Sequence, residues 1–276
     1  MPEDRDEKLL SGLQEELQKR PELAETINLH QELIAARREV EPEVTHIRPD
    51  QREVDELLAR RTALLRRWNL KWDEQSFIGL AAQVCDIGAR HRKDLASQFA
   101  KVRSLLVDDP VQTRSIVTAY LAENKVEVNQ LPEIDHELLS FVLNNALHPF
   151  LHAYAAVLTP LIEDEKWYQR LCPVCGGEPD FGYLEGSVGG LRLLCSRCDT
   201  VWMYKRGECT FCGNTDRDTF AYYLGDDEVY RLYVCGKCSR YLKVIDGRQT
   251  GSEPMLPLQR ILTVGMDISA RQEGYH

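Results

Sequence analysis

The stretch that decides the fold runs from Cys172-Pro-Val-Cys-Gly176 through Cys195-Ser-Arg-Cys198 and Cys209-Thr-Phe-Cys-Gly213 to Cys235-Gly-Lys-Cys238, and it carries eight of the nine cysteines as four Cys-x-x-Cys pairs. The residues between the pairs repeat as well. Tyr183-Leu, Leu191-Arg-Leu-Leu and Val201-Trp-Met-Tyr correspond to Tyr223-Leu, Tyr230-Arg-Leu-Tyr-Val and Tyr241-Leu-Lys-Val. One unit is written twice: knuckle, strand, turn, strand, knuckle, strand.

A Cys-x-x-Cys turn can direct two sulfurs at one metal, and a second turn brought across by a hairpin completes a tetrahedron. Nineteen residues separate Cys175 from Cys195 and 22 separate Cys212 from Cys235, arms that suit such a hairpin. Because each copy holds a complete set, the expected ligands are Cys172, Cys175, Cys195 and Cys198 for one metal and Cys209, Cys212, Cys235 and Cys238 for the other. Gly176 and Gly213 follow the first knuckle of each copy, where a positive φ turns backbone N–H groups towards sulfur. Arg197 and Lys237, inside the second knuckles, are placed to offset thiolate charge. Disulfides need an oxidising compartment and thioredoxin-type dithiols an α/β context, so metal is the favoured reading. Four protein ligands leave no open position, which points to a structural site, and they suit zinc and iron alike.

Working outward, the preceding residues read as helices. Leu9, Leu13 and Leu17, then Ile27, Leu33 and Ile34, fall near helical spacing on either side of Pro21. Further helices are expected from about Gln51 to Trp68, from Ser76 through Cys85 to Leu106, from Asp109-Pro110, and from Asp135 to Ile162 with a kink at Pro149. Cys85 and the pair His148 and His152 lie on apolar helix faces and read as core. Thirteen of the 22 aromatic residues fall between Trp167 and Tyr241 in short strand-like runs, with turns at 186–190 and 225–227. A linker then leads to a last helix, Leu258 to about Gln272. The expected architecture is α+β: an all-α helical domain (1–166), two tandem rubredoxin-like or zinc-ribbon modules (167–206 and 207–248), and a linker with a C-terminal helix (249–276).

The 276 residues carry a net charge of −10. Up to Gln169 there are 21 basic against 30 acidic residues, and from Arg170 to Arg248 eleven of each. That balance weighs against a protein living on phosphate backbones. The longest apolar stretch, 146–162, contains His148, Pro149, His152 and Pro160 and is a poor membrane span. The acidic start, Met1-Pro-Glu-Asp, does not resemble a secretory signal. The sequence offers no phosphate loop, nucleophile elbow or catalytic triad.

The four knuckles, with Trp202, Tyr241-Leu-Lys243, Leu147-His-Pro-Phe-Leu151 and the closing Asp267-Ile-Ser-Ala-Arg-Gln-Glu-Gly-Tyr275, resemble the formate dehydrogenase accessory protein family of the FdhE type. The resemblance implies a cytoplasmic maturation factor, not an enzyme, that binds the catalytic subunit of a molybdenum- or tungsten-containing formate dehydrogenase and carries rubredoxin-like iron sites. No nucleic-acid or membrane partner is expected, and a homodimer is compatible with the sequence. The acidic helical part could steer a basic client segment; otherwise the aromatic ribbon surface, including Trp202 and Tyr241 if they are exposed, would carry the contact. Two other functions fit the residues alone: a zinc-ribbon protein associated with nucleic acid, and a thiol or iron redox protein.

Overall fold

The computed structural model describes residues 5–44, 46–68, 70–123, 133–186, 189–225, 228–250 and 253–276. They form two compact units, Met1–Arg48 with Trp68–Val157, and Pro49–Arg67 with Leu158–His276.

The first unit is helical. Helices α1 (Arg5–Lys19) and α2 (Ala24–Arg38) are separated by a short turn starting at Pro21, as the periodicity predicts. The stretch expected as one helix from Ser76 to Leu106 is two, α4 (Glu74–His91) and α5 (Ala96–Val107), preceded in chain order by α3 (Gln51–Ala59) of the other unit. Asp73 caps α4, accepting from the Ser76 N–H. The break comes at Arg92, which leaves helical geometry at φ −121° and ψ 76° while its guanidinium pairs with Asp94. Asp109 caps α6 (Pro110–Glu123) by accepting from the N–H groups of Val111 and Gln112. The last helix of the unit, α7 (His136–Leu158), continues through Pro149 and buries Leu139, Val142, Leu143, Leu147 and Leu151. Cys85 is buried in α4, and burial pushes its thiol up to about 12, consistent with a core residue. His148 is buried on α7, with its ring stacked on His152.

The second unit is built on one six-stranded sheet. Strands β1 (Pro179–Glu185), β2 (Gly190–Cys195) and β3 (Val201–Tyr204) form one antiparallel meander, and β4 (Phe220–Leu224), β5 (Tyr230–Cys235) and β6 (Arg240–Asp246) form the other. The order is β3-β2-β1-β6-β5-β4, so the copies join where β1 runs parallel to β6, Phe181 opposite Lys243 and Leu184 opposite Asp246. Alternation puts Phe181, Tyr183 and Ile245 on one face, where they pack with Leu194 and with Leu256 of α8 (Leu256–Leu262). The C-terminal helix is divided: Thr263 bonds back to the carbonyls of Gln259 and Arg260, and α9 (Val264–Gln272) begins after it. Among the described residues, no helix is long and apolar enough to cross a membrane.

Helix α3 (Gln51–Ala59) belongs to this unit and is shorter than its apolar spacing suggests. Arg61 adopts φ 55°, which ends the helix, and the chain runs on extended at Ala63. The N–H groups of Leu64 and Leu65 then donate to the carbonyls of Pro173 and Val174 at 2.8 and 2.9 Å, bonds a longer helix would have directed into its own backbone.

Candidate metal centres

Each knuckle is a tight turn closed by its own backbone. In the first, the Cys172 N–H donates to Gly177 O and the Gly176 N–H to Cys172 O, with Gly176 at φ 73°. The third repeats this bond for bond: Cys209 N–H to Asn214 O, Gly213 N–H to Cys209 O, Gly213 at φ 71°. In the second and fourth, the residue after the last cysteine is also left-handed, although it is not glycine: Asp199 at φ 58° and Ser239 at φ 55°. The sequence reading found the glycines and missed these two; the repeat itself marks them, because both stand one residue past a Cys-x-x-Cys.

The hairpins bring the knuckles together in two sequential sets, Cys172, Cys175, Cys195 and Cys198, and Cys209, Cys212, Cys235 and Cys238, with all four sulfurs of a set within 4.8 Å of one another. Four sulfurs at about 2.3 Å from a tetrahedral metal stand about 3.8 Å apart. The observed separations are 3.6 Å for Cys172 and Cys198, 3.4 Å for Cys175 and Cys195, 3.8 Å for Cys209 and Cys238, and 3.7 Å for Cys212 and Cys235. Both sets therefore fit a tetrahedral thiophilic ion.

Backbone amides are aimed at the sulfurs: Gly177 N–H at Cys175 (3.3 Å), Arg197 N–H at Cys195 (3.4 Å) and Phe211 N–H at Cys209 (3.4 Å). Such donors favour thiolate, and burial opposes it. Burial holds the Cys172 and Cys209 thiols above the usual range and lifts Cys238 to about 12. Burial also acts on Cys235, but the N–H groups of Cys238 and Lys237, with Cys212 and the Asn214 amide, outweigh it and bring that thiol to about 7. A metal would displace the remaining protons.

The two sets differ in their surroundings. In the first, all four cysteines are buried; in the second, Cys212 and Cys238 are partly exposed. Arg197 is buried beside the first cluster, whereas its counterpart Lys237 is exposed. Arg260 of α8 also reaches the first cluster region, with Nη2 3.0 Å from Asp199 and Nη1 3.4 Å from Asp180. A shallow cleft, lined in part by Phe211, Phe220, Tyr233 and Leu242, adjoins Cys209 of the second.

The aromatic residues do not lie where the sequence reading put a contact surface. Trp202 is buried, its indole N–H donating to Gln169 O, and Tyr241 is half-buried with its hydroxyl on Asp267. Among the described residues the exposed aromatic ones are Tyr168 and, on β4, Tyr222 and Tyr223.

No family model matches the chain. Among curated proteins, the chain is 34% identical over 146 residues to an FdhE homologue of Aquifex aeolicus, covering 51% of this chain and 50% of that one. A second FdhE homologue, from Stutzerimonas stutzeri, is 29% identical over 121 residues, covering 41% and 37%. The crystal structure of the FdhE protein from Pseudomonas aeruginosa shares the fold, with a TM-score of 0.52 over 99% of this chain and 91% of that one at 17% identity. The chain thus resembles FdhE proteins in sequence over about half its length and in fold over nearly all of it. Its sequence matches span half or less of the length of these curated FdhE relatives, while the structural match extends over nearly the whole chain.

Proposed function

We propose that this protein belongs to the FdhE family and is a cytoplasmic accessory factor in formate dehydrogenase maturation, that it binds the catalytic subunit during assembly, and that it does no catalysis of its own. The observation that carries this reading is the closure of both four-cysteine sets. Four sulfurs complete a tetrahedron, so a bound metal supplies a cross-link and has no position left for a substrate. Iron would add a one-electron couple to the same cross-link. The eight cysteines are the proposed ligands, and the proposed metal role is to hold the two hairpin copies in shape, with the client contact made elsewhere on the surface. The sequence similarity to FdhE homologues supports formate dehydrogenase as the client system.

The test is association of the purified, metal-loaded chain with a recombinant formate dehydrogenase catalytic subunit, followed by gel filtration with metal analysis of the peaks. A complex with the immature subunit that is lost on addition of its molybdenum or tungsten cofactor is the expected result. Absence of a complex with either form would remove the proposed client.

A further inference from the structure

Among the described residues, strand β4 ends the sheet and pairs with β5 alone. The Gly225 N–H bonds to Tyr230 O and the Gly236 N–H to Thr219 O, which fixes the ladder's parity. Positions 219, 221, 223 and 225 thus bond inward to β5, and the N–H and C=O groups of Tyr222 and Leu224 point outward from the sheet, while the Phe220 N–H is taken by Asp216 O at 2.9 Å. Tyr222, Tyr223 and Leu224 are 50%, 59% and 51% exposed. β4 contains neither proline nor lysine and has no β-bulge in its pairing with β5, features that commonly blunt a free edge. The opposite edge, β3, buries Trp202 and Tyr204.

Charge decides what could pair there. Exposed Asp216 and Asp218 stand just before β4 and exposed Glu228 follows it, against exposed Arg217 alone on the basic side of those two flanks. A second copy adding antiparallel would set the acidic start of one strand against the acidic end of the other, at both ends of the pair. Like charges brought together in this way oppose self-pairing, and they attract a basic strand. We propose that β4 is a docking edge for an extended, Lys- or Arg-containing segment of a partner polypeptide, which adds to the sheet as a seventh strand with its backbone bonded to Tyr222 and Leu224. This does not depend on the partner being a formate dehydrogenase.

The test uses the full, metal-loaded chain and a fluorescein-labelled peptide of alternating Lys and Val, about eight residues long, with its Glu-Val counterpart. At low salt the Lys-Val peptide should bind about tenfold more tightly than the Glu-Val peptide, and its affinity should fall as salt rises. Tyr222→Pro removes an outward N–H without taking a bond from the β4–β5 ladder, so it should abolish binding while the metal content stays unchanged. The pair Asp216→Asn with Asp218→Asn, outside the strand, should weaken binding several-fold and flatten the salt dependence, which keeps the idea testable if the proline variant misfolds. Failure of the Lys-Val peptide to bind, equal binding of both peptides, binding indifferent to both sets of substitutions, or a dimer of the chain that Tyr222→Pro converts to monomer would each overturn the proposal.

Discussion

Arg240 donates both of its terminal guanidinium nitrogens to Glu178, at 2.8 and 2.9 Å, across 62 residues of sequence. Glu178 follows the first knuckle and its carbonyl accepts from the Ser196 N–H in the second, while Arg240 follows the fourth and lies 3.7 Å over the ring of Phe211 in the third. One fork therefore touches all four turns. Both side chains are about one-third exposed, so the pair itself is worth only about 0.5–1 kcal/mol, with the stacking of Arg240 on Phe211 adding a similar amount. A double-mutant cycle of Glu178→Gln and Arg240→Leu, read by denaturant unfolding, should give a coupling of about 0.5–1 kcal/mol, with Arg240→Leu the more costly single change. Strictly additive losses would mean the fork does not link the copies.

The unequal burial of the two cysteine sets predicts unequal metal release. Cys212 and Cys238 can meet a chelator directly; reaching the first cluster requires local opening of the structure around it. A metallochromic chelator should withdraw metal in two phases of similar size, with the fast phase absent in Cys212→Ser and the slow phase absent in Cys175→Ser. A single phase in the parent protein would contradict the asymmetry.

Much of this site is legible in the sequence because its determinants are local. The Cys-x-x-Cys spacing and the doubled strand pattern specify two hairpins and their grouping without any distant contact. The parallel pairing of β1 with β6 is not legible, since nothing local to Phe181 or Lys243 encodes a partner 62 residues away. The same holds for Leu64 and Leu65, whose apolar spacing reads as helix until the carbonyls of Pro173 and Val174 claim their N–H groups. Trp202 misleads for a related reason: aromatic composition alone does not say which face of a strand is covered.

Asp246 predicts an acid dependence. The Arg248 guanidinium holds its carboxyl near 2, with the Arg248 N–H and Arg231 contributing, and the side chain is fully buried. A carboxylate whose folded pKa lies below its unfolded value stabilises the fold above about pH 4, and that contribution is lost as pH falls through about 2. Asp246→Asn should cost about 2 kcal/mol at neutral pH, and the gap between variant and parent should close between about pH 4 and 2. Metal loss in acid affects both proteins, so the difference between their unfolding curves isolates Asp246. A gap that stays constant with pH would reject this account.

The residue after each Cys-x-x-Cys pair is left-handed whether or not it is glycine, which gives a prediction of opposite signs at equivalent positions. A side chain in this conformation costs about 1 kcal/mol relative to glycine, partly offset by the larger entropy glycine carries in the unfolded chain. Gly176→Ala should therefore destabilise by about 1 kcal/mol through the backbone alone, since the new methyl would meet the Ala63 side chain at an ordinary contact distance of 3.6 Å. Ser239→Gly relieves the strain and should stabilise by about 0.5 kcal/mol. Asp199→Gly should not gain in the same way, because it also removes the carboxylate 3.0 Å from Arg260. Thermal unfolding of the three metal-loaded variants decides the matter: a loss at Ser239→Gly comparable to that at Gly176→Ala would show that the strain at the fourth knuckle is not what limits stability there.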